Sequence, residues 1–439
     1  MAYKEISNAQ LSVIDKNMEI ALQYRVVVFL TAIAQHRRRD MAKLALHGGE
    51  PIVKGPLGKS WPTFDAREEQ ALLKVLHSGS WNSGDKVDQA SQAFAAYQNA
   101  KYGIPVANGT VAIQCALKTV GLQAGDEVIV PALTFVATGT AAVLVNAVPI
   151  IVDVDPLTYN ICPDAIEAAV TPRTRAIVPV HNGGFPADMD RIMEIAQKHD
   201  LWVIEDCAHA HGSQWRGQGL GSIGHLGTFS FQMGKTLTCG EGGMVVTNDQ
   251  ALAEKARIFA NLNMRMTNFQ AALLLCQLER FDEQVEIREQ NTIYLAEGMK
   301  DIEGISPIPR DERVTRWCFY YWDFRFIPEA FDNISRDRFL AALRAEGVPC
   351  NVGAHGQPIY QEGPFGDMDF FDQLGAARQG QVYDRQIDYS QVHCPQAEWV
   401  YAKEVCSFSH ALFLGEIEDM DLILQAIKKV RQNTDQLSS

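Results

Sequence analysis

Val148-Pro149-Ile150-Ile151-Val152-Asp153-Val154, Ala176-Ile177-Val178-Pro179-Val180 and Trp202-Val203-Ile204-Glu205 are short, nearly unbroken apolar runs. The segments around them have helical period. Met189, Ile192, Met193 and Ala196 fall on one stripe, and upstream Ile113, Ala116, Leu117 and Val120 form another. Further strands are expected at 127–131, 228–231 and 244–247. Continuous apolar strands alternating with helices from Lys101 to Asp249 indicate an α/β fold with a mainly parallel sheet covered on both faces.

Beyond about residue 295 the texture changes. Proline, aromatic and charged residues mix over 305–326, a capped helix is expected over 335–346 with Gly347 as its stop, and a last helix carries Met420, Ile423, Leu424 and Ile427 on one face. This reads as a smaller α+β domain. The expected organisation is an N-terminal extension or misassigned start over 1–40, a large domain over 41–295 and a small C-terminal domain over 296–439. The apolar stretch 26–34 is too short to span a bilayer. Met41 opens a natural-looking start.

The 439 residues carry a net charge of −14, with 47% hydrophobic and 21% charged residues. That balance is ordinary for a globular enzyme and argues against a nucleic-acid binder, because no basic cluster is large enough to neutralise phosphates. Cysteines number 9, scattered and without a Cys-x-x-Cys, which fits a reduced cytoplasmic chain better than a disulfide framework.

Chemistry concentrates where parallel strands end, since ligands of such sheets gather beyond the carboxyl ends of the strands. Asn108-Gly109-Thr110 opens the Ile113 helix, whose amides and Thr110 hydroxyl could hold a phosphate; a plain helix cap is the simpler reading. Phe135 follows the 127–131 strand and could stack on a flat ring or pack in the core. Asp206 closes the strand at Trp202, as a helix cap or as a charge that raises the pKa of a ring nitrogen. Downstream, Gly227 to Gly243 holds Ser230, Gln232, Lys235 and the cluster Gly240-Glu241-Gly242-Gly243. A hydroxyl, a lone lysine, turn-forming glycines and a strand-end carboxylate can together hold pyridoxal 5'-phosphate. Lys235 would bond the cofactor, Ser230 bind its phosphate and Asp206 keep its ring nitrogen protonated. Cys207, His209 and His211 alternate as metal ligands do, but no fourth ligand lies nearby; no metal is assigned, and His209 is placed against the ring.

With those residues in place, the chain resembles the DegT/DnrJ/EryC1/StrS family of pyridoxal-phosphate aminotransferases acting on keto sugars and keto cyclitols. The resemblance runs from about residue 44 to the C-terminus. It rests on Asn108-Gly109-Thr110, 125–131, Thr134-Phe135, Asp153-Val154-Asp155, Val180-His181, 205–212, Ser230-Phe231-Gln232, Lys235, 240–243 and Asn263-Met264-Arg265-Met266. It implies the aspartate-aminotransferase-like type I fold, Lys235 and Asp206 as catalytic residues, and Gly109, Thr110, Ser230 and Gln232 around the phosphate. Phe135 and His209 would contact the ring. Asn263 would reach the other subunit's cofactor, making a homodimer.

Gly48-Gly49-Glu50-Pro51, Trp61-Pro62, 345–349 and 394–398 look like the branch of glutamine:scyllo-inosose aminotransferases and 3-amino-5-hydroxybenzoate synthases. The implied reaction moves an amino group from glutamine or glutamate to a keto cyclitol or keto sugar. Alternatives are an aminohydroxybenzoate-synthase-like enzyme, a nucleotide-sugar aminotransferase, or a cofactor-binding homologue without turnover. A dehydratase of this type carries histidine in place of the lysine, so Lys235 argues against it. Two departures stand out. The stretch between Lys235 and Asn263 is shorter than the family's, which puts substrate binding in question. His181-Asn182-Gly183-Gly184 replaces the usual His-Leu-Tyr-Gly.

Overall fold

The computed structural model of the chain describes residues 43–262, 264–353, 355–366 and 388–437. The 1–40 extension therefore lies outside the described residues, and so does Asn263.

The strands, in chain order, are β1 (Tyr102–Val106), β2 (Glu127–Pro131), β3 (Val148–Val152), β4 (Thr174–Ile177), β5 (Trp202–Asp206), β6 (Gln214–Trp215), β7 (Gln218–Gly219), β8 (Leu226–Ser230), β9 (Gly243–Thr247), β10 (Ile305–Pro307), β11 (Val314–Arg316), β12 (Tyr321–Phe326) and β13 (Val405–Ser409). Seven of them form one sheet in the order β1-β9-β8-β5-β4-β2-β3. Its pairings are parallel from β8 through β5, β4 and β2 to β3. Only β9 runs against its neighbours β1 and β8.

Every apolar run read as a strand is one, and β2 has the expected bounds. The run at 176–180 leaves regular pairing after Ile177, because Pro179 has no N–H to donate. The Val178 N–H still bonds Ile129, and Val180 bridges Asp206. β1 was not anticipated. Its Gly103 and Pro105 look like loop residues, but at the sheet edge a missing N–H is tolerated.

The helices follow their stripes. Asp188 caps Met189–His199, which buries Met189, Ile192 and Ala196. Ser335 caps Arg336–Ala345, and Gly347 leaves it at a φ of 91°. Helix Ile417–Gln432 buries Met420, Ile423, Leu424 and Ile427 as expected. In the C-terminal part β10, β12 and β13 make a separate antiparallel sheet. The 43–53 segment returns onto this part: the Ala45 and Ile52 amides donate to the buried Glu346 carboxylate, which also pairs with Lys429 at 2.9 Å.

Candidate active site

A cavity of about 470 Å³ opens beyond the carboxyl ends of β2 and β5, where a parallel sheet offers helix N-termini and loops to a ligand. Asn108, Gly109, Thr110, Phe135, Asp206, His209, Ser230, Gln232 and Lys235 all line it. The structure thus brings together every site residue named from the sequence except Asn263, which is not described.

At one end, helix Gly109–Thr119 points its N-terminus into the cavity. Asn108 caps it by accepting from the Val111 N–H at 3.0 Å, so the cap reading and the ligand-facing position hold together. The first amides of a helix have no carbonyl to bond within it, which suits an anion. Gly109 lies so close to β8 that a Cβ there would sit 2.6 Å from that of Ser230.

Asp206 is the last residue of β5 and is buried. Its carboxylate accepts from the Thr138 hydroxyl at 2.9 Å and from the Ala208 amide at 3.1 Å. Thr134 in turn bonds Thr138 at 2.7 Å. Burial raises the Asp206 pKa, while the two hydrogen bonds and the Lys235 charge pull it back. Lys235 shows the mirror effect. Burial lowers its amine to about 8, with the Asp206 charge opposing the change. Its Nζ sits 4.2 Å from the centre of the Tyr320 ring.

His209, His355 and Tyr320 form the wall beside the lysine. The His209 and His355 rings are stacked with centroids 5.4 Å apart, and His209 lies 4.8 Å from Tyr320. Burial, reinforced by the Lys235 charge, keeps both imidazoles neutral; His355 is pushed down to about 3. His209 Nδ1 and His355 Nε2 have no hydrogen-bond partner among the described residues. Two buried, neutral, unpaired ring nitrogens beside an amine are donors or acceptors held ready for a ligand.

The alternating Cys207, His209 and His211 diverge. Only His209 enters the cavity. His211 Nε2 lies 2.9 Å from the Ser230 carbonyl, and Cys207 is buried against β5. The upstream His181 also has a structural task. Its Nδ1 accepts from the Ala187 amide, so Nε2 carries the proton and donates to Glu205 at 3.1 Å. Glu205 also accepts from the amides of Gly221, Ile223 and Gly224. The neighbouring Gly184 has a φ of 89°, and a Cβ on it would come within 2.2 Å of the Cys318 carbonyl oxygen.

Thr138, Tyr320 and His355 were not singled out from the sequence. Thr138 lies in the first turn of helix Ala137–Leu144, and the bend before that helix brings the Thr134 hydroxyl to it, four residues away in sequence. That spacing was the one available signal. Tyr320 and His355 come from the C-terminal part, and nothing local connects them to Lys235.

The chain around position 263 takes a short path. Helix Gln250–Asn261 ends, and within a few residues Arg265 bridges Val106 at the end of β1. The Met264 carbonyl accepts from the Ala107 N–H at 2.8 Å.

The family model for the DegT/DnrJ/EryC1/StrS aminotransferase family matches residues 62–427. The chain belongs to this family. As a DegT/DnrJ/EryC1/StrS protein it is an aminotransferase, and the type I fold expected from the sequence is the one present. It is 39% identical over 421 residues to a Streptoalloteichus tenebrarius protein provisionally named L-glutamine:3-amino-2,3-dideoxy-scyllo-inosose aminotransferase, covering 90% of this chain and 99% of that one. The crystal structure of 3-amino-5-hydroxybenzoic acid synthase is 33% identical, with a TM-score of 0.74, over 86% of this chain and 99% of that one. DesI, solved in the presence of its TDP-sugar product, is 26% identical with a TM-score of 0.77, over 91% of this chain and 98% of that one.

Proposed function

We propose that this aminotransferase holds pyridoxal 5'-phosphate in the cavity and moves an amino group from glutamine or glutamate to a keto cyclitol or keto sugar. The carrying observation is the placement of one half-buried amine, Lys235, and one buried carboxylate, Asp206, on the same cavity. The residues present fit the group. Gly109, Thr110, Ser230 and Gln232 would surround its phosphate, and the unpaired His209 Nδ1 and the ring of Phe135 would meet its ring. Bound there, the cofactor supplies an electron sink for the carbon that loses its proton.

The chain's own groups do the rest. Lys235, with its amine lowered to about 8, has an appreciable neutral fraction near neutrality and takes and returns the proton at the substrate carbon. Asp206 holds a proton at the ring nitrogen. A positive ring beside it offsets the burial that otherwise raises its pKa. With His209 turned to the cofactor ring, neutral His355 presents its unpaired Nε2 to hydroxyl groups. Among the described residues lining the cavity, Lys235 is the only lysine or arginine. A neutral polyol ketone suits such walls.

Names of the relatives support the acceptor class, and the benzoate synthase keeps an aromatising alternative in view. A nucleotide-sugar acceptor is the further alternative, carried by DesI. Mass-resolved transamination of keto cyclitols and nucleotide keto sugars, with glutamine and glutamate as donors, tests the reading. Transfer to none of them rejects it.

We further propose a cytoplasmic homodimer whose working halves divide near residue 295. The sheet of β10, β12 and β13 lies wholly beyond that point, although β11 crosses it to pair with β6, and the nine free cysteines favour a reducing compartment. Exposed Trp81, Ile258 and Leu262 lie close to a cleft lined by Asn82, Arg257, Asn261 and Arg265, as an apolar interface around the Asn263 stretch requires. No described helix is long and apolar enough to cross a membrane.

A further inference from the structure

Arg288 is fully buried in helix Phe281–Met299, yet among the described residues no carboxylate pairs with it. Its Nη2 lies 3.1 Å from His410 Nδ1, and its Nε donates to the His410 carbonyl at 3.3 Å. A guanidinium only donates, so His410 Nδ1 must be the acceptor and Nε2 must carry the ring proton. That proton points at the Gly234 carbonyl, 3.0 Å away. The His410 amide donates to the Tyr320 carbonyl at 3.2 Å. One histidine therefore grips the peptide preceding Lys235 and the residue whose ring lies under the Lys235 amine.

Trp61 completes the arrangement. Its Nε1 donates to the Met233 carbonyl at 2.9 Å, and its ring meets His410 edge-on at 4.6 Å. The Arg288 guanidinium lies 5.5 Å from the centre of the Trp61 ring. Two consecutive carbonyls, of Met233 and Gly234, are thus held from outside the cavity by two side chains that touch each other. A buried cation without an anion is costly to keep. Here it fixes one tautomer of one imidazole.

We propose that Trp61, His410 and Arg288 form a clamp that positions Lys235: Arg288 sets the His410 tautomer, and His410 with Trp61 fixes the loop that aims the amine. The inference rests on the reading of Lys235 as the working lysine. The three are positioning residues, acting through Lys235 from behind its loop.

Two substitutions separate the bonds. The amide of His410→Gln can replace Nε2 toward Gly234, whereas that of His410→Asn can replace only Nδ1 toward Arg288. Two readouts are taken on the full chain: the rate at which an amine-directed acylating reagent modifies Lys235 without cofactor, followed by peptide mass spectrometry, and kcat and KM with cofactor. We expect His410→Asn to change Lys235 modification several-fold and to lower kcat on the order of ten- to a hundred-fold, with KM within about two-fold. His410→Gln should recover most of both. Trp61→Phe keeps the ring and loses the Met233 bond, so it should change Lys235 modification in the same direction by a smaller factor.

Wild-type modification and kcat in His410→Asn overturn the clamp, as does equal damage in the Asn and Gln variants. Should both His410 variants fail to fold, unchanged Lys235 modification in Trp61→Phe overturns it instead. If modification responds as expected while Lys235→Ala still transfers amino groups, the clamp stands and the assignment of Lys235 fails.

Discussion

The Thr138 hydroxyl donates to Asp206 Oδ2 across 2.9 Å and joins the helix after β2 to the end of β5. It is one of two hydrogen bonds that oppose the effect of burial on that carboxylate. Asp206 is therefore held by a residue of the helix that follows another strand, and that residue also favours its charged form.

Thr138→Val keeps the shape and removes the donor. A hydrogen bond to a charged group contributes about 1.5–3 kcal/mol. We expect kcat to fall about ten-fold or more, with cofactor affinity changed little. Steady-state kinetics beside a cofactor titration checks both. A fall in affinity with unchanged kcat would place Thr138 at the phosphate instead.

Asp206→Ala tests the carboxylate itself. Losing a charge partner of the developing transition state costs on the order of 10²–10³ in rate. Cofactor retention should suffer far less, because the phosphate end provides the grip. Near-normal turnover would show that another group holds the ring nitrogen.

Lys235→Ala should abolish covalent attachment. Borohydride treatment of the wild-type chain with pyridoxal phosphate should add the cofactor's mass to the Lys235 peptide and to no other. A reducible attachment surviving in the variant would refute the assignment.

The Lys235 amine also has a stability signature in the cofactor-free chain. Its pKa is about 8 folded against 10.5 as the ordinary value. Between those values the unfolded chain binds more protons, so this contribution to stability rises with pH. Below pH 8 the lysine is a full liability. The gap implies about 1–3 kcal/mol after discounting for the open mouth of the cavity. Lys235→Met should be more stable than wild type at pH 7, and the advantage should shrink as pH approaches 10.5. Chemical denaturation across that range measures it; a pH-independent difference would contradict the lowered pKa.

Gly109→Ala should weaken cofactor binding more than it weakens the fold. The added Cβ meets Ser230 at 2.6 Å and pushes the helix N-terminus away from β8. Overpacking of this kind costs about 1–3 kcal/mol. A cofactor titration should show at least about a ten-fold loss of affinity, set against a thermal melt for stability.

The central sheet was legible because its signals are local. β2, β3 and β5 are continuous apolar runs, and their burial on both faces is written residue by residue. β1 was missed because Gly103 and Pro105 carry loop signals, and only its edge position makes them acceptable in a strand. In the site, Asn108, Gly109, Asp206, Ser230 and Lys235 were readable from their places at strand ends and a helix start.

Thr138, Tyr320, His355 and the His410–Arg288 pair were not readable in that way. Each matters only through a partner distant in sequence, and a lone tyrosine or histidine has no pattern of its own. By itself the sequence determined the α/β order, the helix caps and the strand-end positions of the chemical groups, because these follow from local periodicity and hydrogen-bonding demand. Tertiary structure alone decided which histidine enters the cavity, which carboxylate is desolvated and which tautomer His410 adopts. Those properties belong to the low-dielectric space between distant segments, and that space exists only once the chain has folded.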